Sequence, residues 1–422
     1  MAKIHVERMM HRNSIAITGE TAASYALIKL IPAGLGSAPA ALNLALALDV
    51  SGSMYEEDGT GISRLRRIQD AAISAINKLK PTDTLSVIAF AHNALVLLPP
   101  TAISEKKKIV DVINKIDMYD VDPGGTSMDD GMKLALAEIE KTAAGRLSQI
   151  LVLTDGETSG EQNCRELAKL AAEKKVHLTL MGVGLDWKAS LIKDLAKISD
   201  GKWYYIDVHQ AAEAERIFTE EFQSLAASAF LNVEMHLRPM KDIKIKRVRQ
   251  VVPEIKELSQ FEPEDRHLVV SLGTLTAQAT RYVLDLSLPK RADGKYVIAQ
   301  LEITYDGAMG RESSGMIPLE MTYTAAGHGY INAEVARHID EVQIFELNNN
   351  LQKAIALSDQ TEVQRVAQEI ERKGALMGPR AAKKTMLARQ VLQELNVGGR
   401  VSKKTQLAME DSARLADEMP VN

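Results

Sequence analysis

Between residues 42 and 206 the chain alternates short, almost wholly apolar runs with longer amphipathic stretches, and that alternation narrows the fold more than any other feature. The runs cover residues 42–48, 85–91, 149–154, 176–183 and 203–206. Runs this short and this free of polar alternation describe strands covered on both faces. The amphipathic stretches are 64–79, 105–116, 128–142, 164–174, 191–198 and 213–226. Their apolar spacing suits helices packed on a sheet, as in Ile68, Ala72, Ile76 and Leu79, or Leu134, Ala137 and Ile139. The alternation predicts an α/β fold: a doubly wound, mostly parallel sheet with right-handed crossovers. Ligands of such sheets bind beyond the carboxyl ends of the strands, so chemistry is expected there.

The flanks read differently. After about residue 227 come runs with polar alternation, 230–237, 243–252, 267–272, 282–288, 296–305 and 316–323, separated by turns at Pro253, Pro263, 291–295 and 306–310. That spacing predicts an antiparallel β-sandwich. The first forty residues carry the same signal through Tyr25, Leu27, Lys29 and Ile31. A lone hairpin is marginal in water, so these strands are expected to complete the later sandwich, with the α/β domain inserted between them. From about residue 329 the chain reads as helical. Ile344, Leu347, Leu351 and Ile355 form one stripe, and Leu387, Val391 and Leu395 form another. Gly374 and Gly398-Gly399 look like helix stops and Pro379 like a start. The expected organisation is N-terminal strands over 1–40, the α/β domain over 41–227, the sandwich over 228–326 and a C-terminal helical module over 327–422.

Composition excludes several function classes. A formal charge of −5 over 422 residues does not suit a protein built to coat nucleic acid. The single cysteine, Cys164, excludes an internal disulfide framework and fits a reducing compartment; it is expected to begin a helix and to pack or cap there. No run approaches the roughly 18 apolar residues of a membrane span, and the N-terminal residues lack a signal-peptide core. The expected location is the cytoplasm. Neither a GxxxxGK[ST] loop, a GxSxG elbow nor an HExxH pair occurs, and the histidines lie scattered without ligand spacing.

Three polar turns stand out. The first apolar run ends in Asp49-Val50-Ser51-Gly52-Ser53, whose alternate side chains Asp49, Ser51 and Ser53 can turn toward one point. Gly124-Gly125-Thr126-Ser127 precedes a helix, and Thr154-Asp155-Gly156-Glu157 ends another apolar run. Taken singly, each is ordinary turn and cap chemistry. Together they gather hydroxyls and carboxylates at strand exits, a donor set suited to a hard cation such as Mg²⁺.

Asp49-x-Ser51-x-Ser53, then Thr126, then Asp155 resembles the metal-ion-dependent adhesion site of von Willebrand factor type A domains, in order, separation and strand–helix context. The resemblance covers residues 42–227 or so. It implies a doubly wound sheet, Mg²⁺ (with Mn²⁺ or Ca²⁺ as alternatives) held directly by Ser51 and Ser53, Thr126 joining or leaving, and Asp49 and Asp155 acting directly or through water. It also implies that an Asp or Glu of a partner protein takes the open position. The whole layout looks like intracellular bacterial proteins of this class, which work beside MoxR-type AAA+ ATPases or beside kinases and phosphothreonine readers. The chain is therefore expected to be a non-enzymatic adaptor. Two other readings stay open: a Mg²⁺-dependent phosphoester hydrolase, against which stands the absence of an Asp-x-Asp pair at Asp49, and a channel-associated relative. A third possibility is that the same residues mainly brace the loops.

The neighbouring charges also bear on the ligand. Glu56, Glu57, Asp58, Asp129, Asp130 and Glu157 follow the three turns. They read either as solvated loop charges, with Asp129 and Asp130 suited to a helix N-terminus, or as a rim that crowds the site, in which case an anionic ligand is expected to arrive within a basic surround. Between Gly374 and Met409 lie Arg380, Lys383, Lys384, Arg389, Arg400, Lys403 and Lys404 against the single acid Glu394. No aromatic residue interleaves to stack bases, so nucleic acid is not expected there. These charges read as a solvated helix face, and docking on an acidic surface, either a partner's or the metal-site rim itself, is the alternative.

Overall fold

The chain starts in one sheet, leaves it, and returns to it only after residue 228. The computed structural model describes residues 3–17, 21–33, 41–57, 61–184, 187–199, 201–207, 211–226, 228–260, 266–307 and 310–415. They divide into two units: Met1–Ser37 with Ala229–Asn422, and Ala38–Ser228. Three strands open the first unit, β1 (Lys3–Met10), β2 (Ser14–Ala16) and β3 (Thr21–Ala33).

The second unit is the α/β domain. It runs β4 (Ala41–Asp49), α1 (Arg64–Ile76), β5 (Thr84–Phe90), β6 (Ala94–Ala102), α2 (Lys106–Asn114), α3 (Met128–Glu140), β7 (Arg146–Thr154), α4 (Glu161–Glu173), β8 (His177–Val183), α5 (Ala189–Ile198), β9 (Lys202–Ile206) and α6 (Ala211–Ala226). The sheet order is β6-β5-β4-β7-β8-β9, all parallel except β6, which runs antiparallel to β5. Helix α1 packs against α2 and α6, while α3 and α4 and then α4 and α5 pack in a second group. Central strands β4 and β5 are buried on both faces, Leu44 to Leu48 and Leu85 to Phe90 being shielded throughout. The chain goes from β4 to β5 on one side and reaches β7 on the other, which makes the β4–β7 boundary the topological switch point. Register aligns the two carboxyl ends, Leu48 lying beside Leu153.

Helix α6 is fastened to three strands by one buried carboxylate. Glu221, only 3% exposed, accepts hydrogen bonds from Gln149 Nε2 of β7 (3.0 Å), Thr179 Oγ1 of β8 (2.9 Å), and Lys202 Nζ and Tyr204 Oη of β9 (2.7 Å each). Burial pushes its pKa up, but the Lys202 charge and these donors outweigh that and hold it below the usual value.

Two strand readings need correction. The run 203–206 is not covered on both faces: β9 is the sheet edge and most of it is half-exposed. The other edge, β6, was not expected from the sequence. It carries Pro99 and Pro100, which an edge tolerates because a missing N–H costs no ladder bond there.

The chain then returns to the first unit through β10 (Ser228–Pro239), β11 (Lys244–Val252), β12 (Lys256–Gln260), β13 (Leu268–Thr276), β14 (Thr280–Pro289), β15 (Gly294–Gly307), β16 (Gly310–Ser313) and β17 (Ile317–Thr324). One sheet has the order β1-β3-β14-β11-β12, the other β13-β10-β15-β17-β2 with β16 beside β15. Strand β3 pairs antiparallel with both β1 and β14, so the N-terminal strands complete the sandwich into which the α/β domain is inserted. Apolar residues of both sheets form one core, including Ile28, Leu30, Met235, Leu237, Leu284, Leu301 and Tyr323. Pro263, read as a turn, lies outside the described residues.

Helix α7 (Ala333–Ala356) covers the other face of the five-stranded sheet, where Val335, Ile339 and Val342 meet Leu27, Val251 and Val283. Helices α8 (Gln360–Met377), α9 (Ala382–Gly398) and α10 (Lys403–Arg414) follow. The stripes through Ile344 and Leu351 and through Leu387 and Val391 pack within one cluster. Gly374 does not stop a helix. It lies buried inside α8, where a Cβ would meet Thr385 Oγ1 of α9 at 2.4 Å, so its missing side chain serves close helix approach. The stop is Gly378, with φ +72°; Gly399 ends α9 in the left-handed region, as expected.

Glu221→Gln tests the α6 anchor. Its depressed folded pKa means the charged form stabilises the fold above the ordinary value of 4.5, a contribution lost as pH falls through the folded value. Urea unfolding is expected to show the variant about 2 kcal/mol less stable at pH 7, with the gap closing as the pH drops below 4.5.

Candidate metal centre

Asp49 is the last residue of β4 and Thr154 the last of β7, so adjacent parallel strands deliver them to the same sheet edge. Both are buried, Asp49 completely. Its carboxylate accepts from Thr154 Oγ1 at 2.6 Å and from the backbone N–H of Ser51 at 2.9 Å. Burial pushes the Asp49 pKa up to about 6 despite these bonds, with the nearby Asp155 charge adding to the rise.

The chain after Asp49 turns sharply into a short 3₁₀ segment, Gly52–Tyr55. This turn sets Ser51 Oγ 3.2 Å from Ser53 Oγ, and Ser53 Oγ donates to Asp155 Oδ1 at 2.7 Å. Asp155, just beyond β7, has no exposed surface. The third turn joins through its backbone: Gly52 N–H donates to Pro123 O (3.2 Å), His92 N–H to Asp122 O (2.9 Å) and Ser127 N–H to Ala91 O (2.6 Å). Thr126 faces Gly156, where a Cβ would stand 3.2 Å from the threonine Oγ1. Asp49, Ser51, Ser53 and Asp155 thus form one hydrogen-bonded set, and Thr126 stands against its edge.

This donor set fits a hard divalent cation. Two cis ligands on octahedral Mg²⁺, with bonds of about 2.0–2.1 Å, lie roughly 3 Å apart. The Ser51–Ser53 and Ser53–Asp155 oxygens are 3.2 and 2.7 Å apart. Among the described residues no three His, Cys, Asp or Glu side chains converge as a metal cluster; three of the five oxygens here come from hydroxyls, the chemistry that keeps a site weakly charged.

Two neighbours escaped the sequence reading. Arg64, the first residue of α1, donates from Nη1 to Asp155 Oδ2 at 2.8 Å and reaches Glu56 with Nη2 at 3.2 Å. A cation at a helix N-terminus opposes the helix dipole, which is the signal that it has an anionic partner. His92 sits beside the Thr126 turn, its Nδ1 3.4 Å from where a Cβ of Gly125 would stand. The acidic rim is also smaller than expected. Asp129 turns away to accept from Asn163 Nδ2 (2.9 Å) against the start of α4, whereas Glu56, Glu57, Asp130 and Glu157 are exposed. Asp58 lies outside the described residues. Cys164 is buried in α4, and burial pushes its thiol up to about 12, away from reactive thiolate.

Residues 44–157 match the von Willebrand factor type A domain, and the chain carries such a domain. Over 288 residues it is 33% identical to the uncharacterized protein sll0103 of Synechocystis sp., covering 67% of this chain and 66% of that protein. Over 335 residues it is 24% identical to the uncharacterized protein YfbK of Escherichia coli, covering 74% and 56%. The chain therefore spans less than two thirds of the length of either relative. A solved structure described as von Willebrand factor type A from Catenulispora acidiphila shares the fold with a TM-score of 0.78 at 17% identity, covering 98% of this chain and 97% of that one.

Thr154→Val keeps the shape of a buried residue while removing the donor to Asp49. Urea unfolding in EDTA is expected to show a loss of about 1–3 kcal/mol, and Thr154→Ser, which keeps the hydroxyl, less than half of it. Equal losses in both variants would mean that packing, not the hydrogen bond, holds Thr154.

Proposed function

We propose that the α/β domain is a cation-dependent protein-binding module in which Asp49, Ser51, Ser53, Thr126 and Asp155 hold Mg²⁺ and a carboxylate of a partner protein completes the site. The observation that supports this most is the meeting of the Ser51, Ser53 and Asp155 oxygens at the β4–β7 switch point, at separations a six-coordinate cation needs, with the Asp49 carboxylate bound to the same turn. A bound cation would supply a Lewis-acidic position for the incoming carboxylate oxygen. Each residue of the chain then has a separate task. Ser51 and Ser53 give neutral oxygens, and Asp155 orients Ser53 through the 2.7 Å bond. Asp49 fixes the turn by binding the Ser51 N–H. Thr126 adds a third hydroxyl from a separate turn.

The exposed acids Glu56, Glu57, Asp130 and Glu157 bear on the partner. They favour a carboxylate presented among basic groups, so affinity for the partner is expected to weaken as salt screens those charges. The partner classes implied by the resemblance, an AAA+ ATPase of the MoxR type or a kinase and phosphothreonine-reader system, are the first to test. Among the described residues no helix is long and apolar enough to cross a membrane. We place the protein in the cytoplasm and assign it no reaction of its own.

The cation comes first experimentally. At about 100 times its Kd, Mg²⁺ is expected to stabilise the wild type by about 2.7 kcal/mol, read as a rise in melting temperature that EDTA reverses. Asp49→Ala is expected to lose that response. A partner captured by the wild type with Mg²⁺, and absent both with EDTA and with Asp49→Ala, would support the binding module. Turnover of a generic phosphoester that vanishes with Asp49→Ala would favour a hydrolase, with His92 as the first base to examine.

A further inference from the structure

Asp155 already has a cationic partner. Its two oxygens are divided: Oδ1 accepts from Ser53 Oγ at 2.7 Å, and Oδ2 accepts from Arg64 Nη1 at 2.8 Å. The carboxylate is completely buried and the Arg64 side chain only 15% exposed, so this charge pair is poorly screened by water. Arg64 also leads outward. Its second guanidinium nitrogen reaches Glu56 at 3.2 Å, a residue that is 64% exposed, and its backbone N–H donates to Glu56 O at 3.1 Å. One side chain therefore links the deepest acid of the site to the loop at its rim.

A cation seated among Ser51, Ser53 and Asp155 would share that carboxylate with a fixed positive charge. Like charges at this range repel, and the repulsion is large where water is scarce. We propose that Arg64 is a built-in competitor for the cation: it neutralises Asp155 in the cation-free protein and must yield that carboxylate, wholly or in part, as the cation binds. This rests on the reading of the five residues as a metal site. Two consequences follow. Cation affinity is set lower than the ligand set alone would give, so occupancy responds to changes in free cation. Binding also drives Arg64 outward toward its contact with Glu56, so the loop that carries Glu56 responds to the state of the site.

The position of Arg64 supports the idea that it is held for this contact. It begins α1 alongside Arg66 and Arg67, at the helix end where positive charge is disfavoured. Helix capping does not need it, since Ser63 Oγ already caps the turn by accepting from Arg66 N–H at 3.2 Å. Arg66 pairs with Asp70 on the exposed helix surface instead.

The test is calorimetric titration of MgCl₂ and MnCl₂ into the full chain, comparing wild type with Arg64→Ala, Arg64→Gln and Asp49→Ala. Gln keeps a polar side chain, shorter than that of Arg, without the charge, and so decides the question if the Ala variant folds poorly by circular dichroism. Both Arg64 variants are expected to bind the cation at least about tenfold more tightly, roughly 1.4 kcal/mol, and to gain more melting temperature from Mg²⁺ than the wild type does. Unchanged or weaker binding in the Arg64 variants, with binding lost in Asp49→Ala, would overturn the competitor role. The metal site would then stand, with Arg64 merely positioning Asp155. Absence of binding in the wild type and in both Arg64 variants would overturn the metal reading and this inference together.

Discussion

Burying two carboxylates side by side is the constraint around which the α/β domain is arranged. Asp49 and Asp155 have no contact with solvent, and an isolated buried carboxylate is too costly to keep charged unless donors or cations surround it. The fold answers each differently. Asp49 receives neutral donors from its own turn and from the neighbouring strand, and its pKa rises to about 6. Asp155 receives a hydroxyl and a guanidinium. The turn after β4, the end of β7 and the start of α1 are thus tied together by one electrostatic requirement. Glu221 shows the same logic used for architecture alone, with its donors drawn from three strands.

How much of this was legible follows from which residues face only the core. Strands β4, β5, β7 and β8 announced themselves because both faces are buried and only scattered polar residues, such as Asn43, Ser86, Gln149 and Thr179, interrupt the apolar runs. The edges were harder. β9 is half-exposed and was read as fully covered, and β6 hid behind Pro99 and Pro100, whose meaning depends on a neighbour being absent. Short β12 and β16 carry too few residues for a period to emerge. Gly374 misled for a related reason: a glycine that ends a helix and one that admits a neighbouring helix look alike until Thr385 is in place.

At the site, the oxygen-bearing residues could be read because they sit at fixed offsets from strand ends. The end of β4 places Asp49, the 3₁₀ turn that follows places Ser51 and Ser53, and parallel register brings Asp155 beside them. Arg64 and His92 could not be placed this way. Their proximity depends on how loops close over the sheet, and a backbone bond such as Gly52 N–H to Pro123 O leaves no mark in residue types. The same holds for Asp129, whose neighbour Asn163 lies 34 residues away on α4.

The pairing of β3 with β14 also has a temporal side. Register sets Leu30 against Thr280, 250 residues apart. At synthesis rates of about 5–20 residues per second, the amino-terminal ribbon leaves the ribosome roughly 10–50 s before its permanent neighbour exists. Through that interval two long strands have open backbone edges, while the inserted domain, all of whose strands are consecutive, has time to collapse on its own. A chaperone that shelters extended segments is therefore expected to raise the yield of this protein during synthesis.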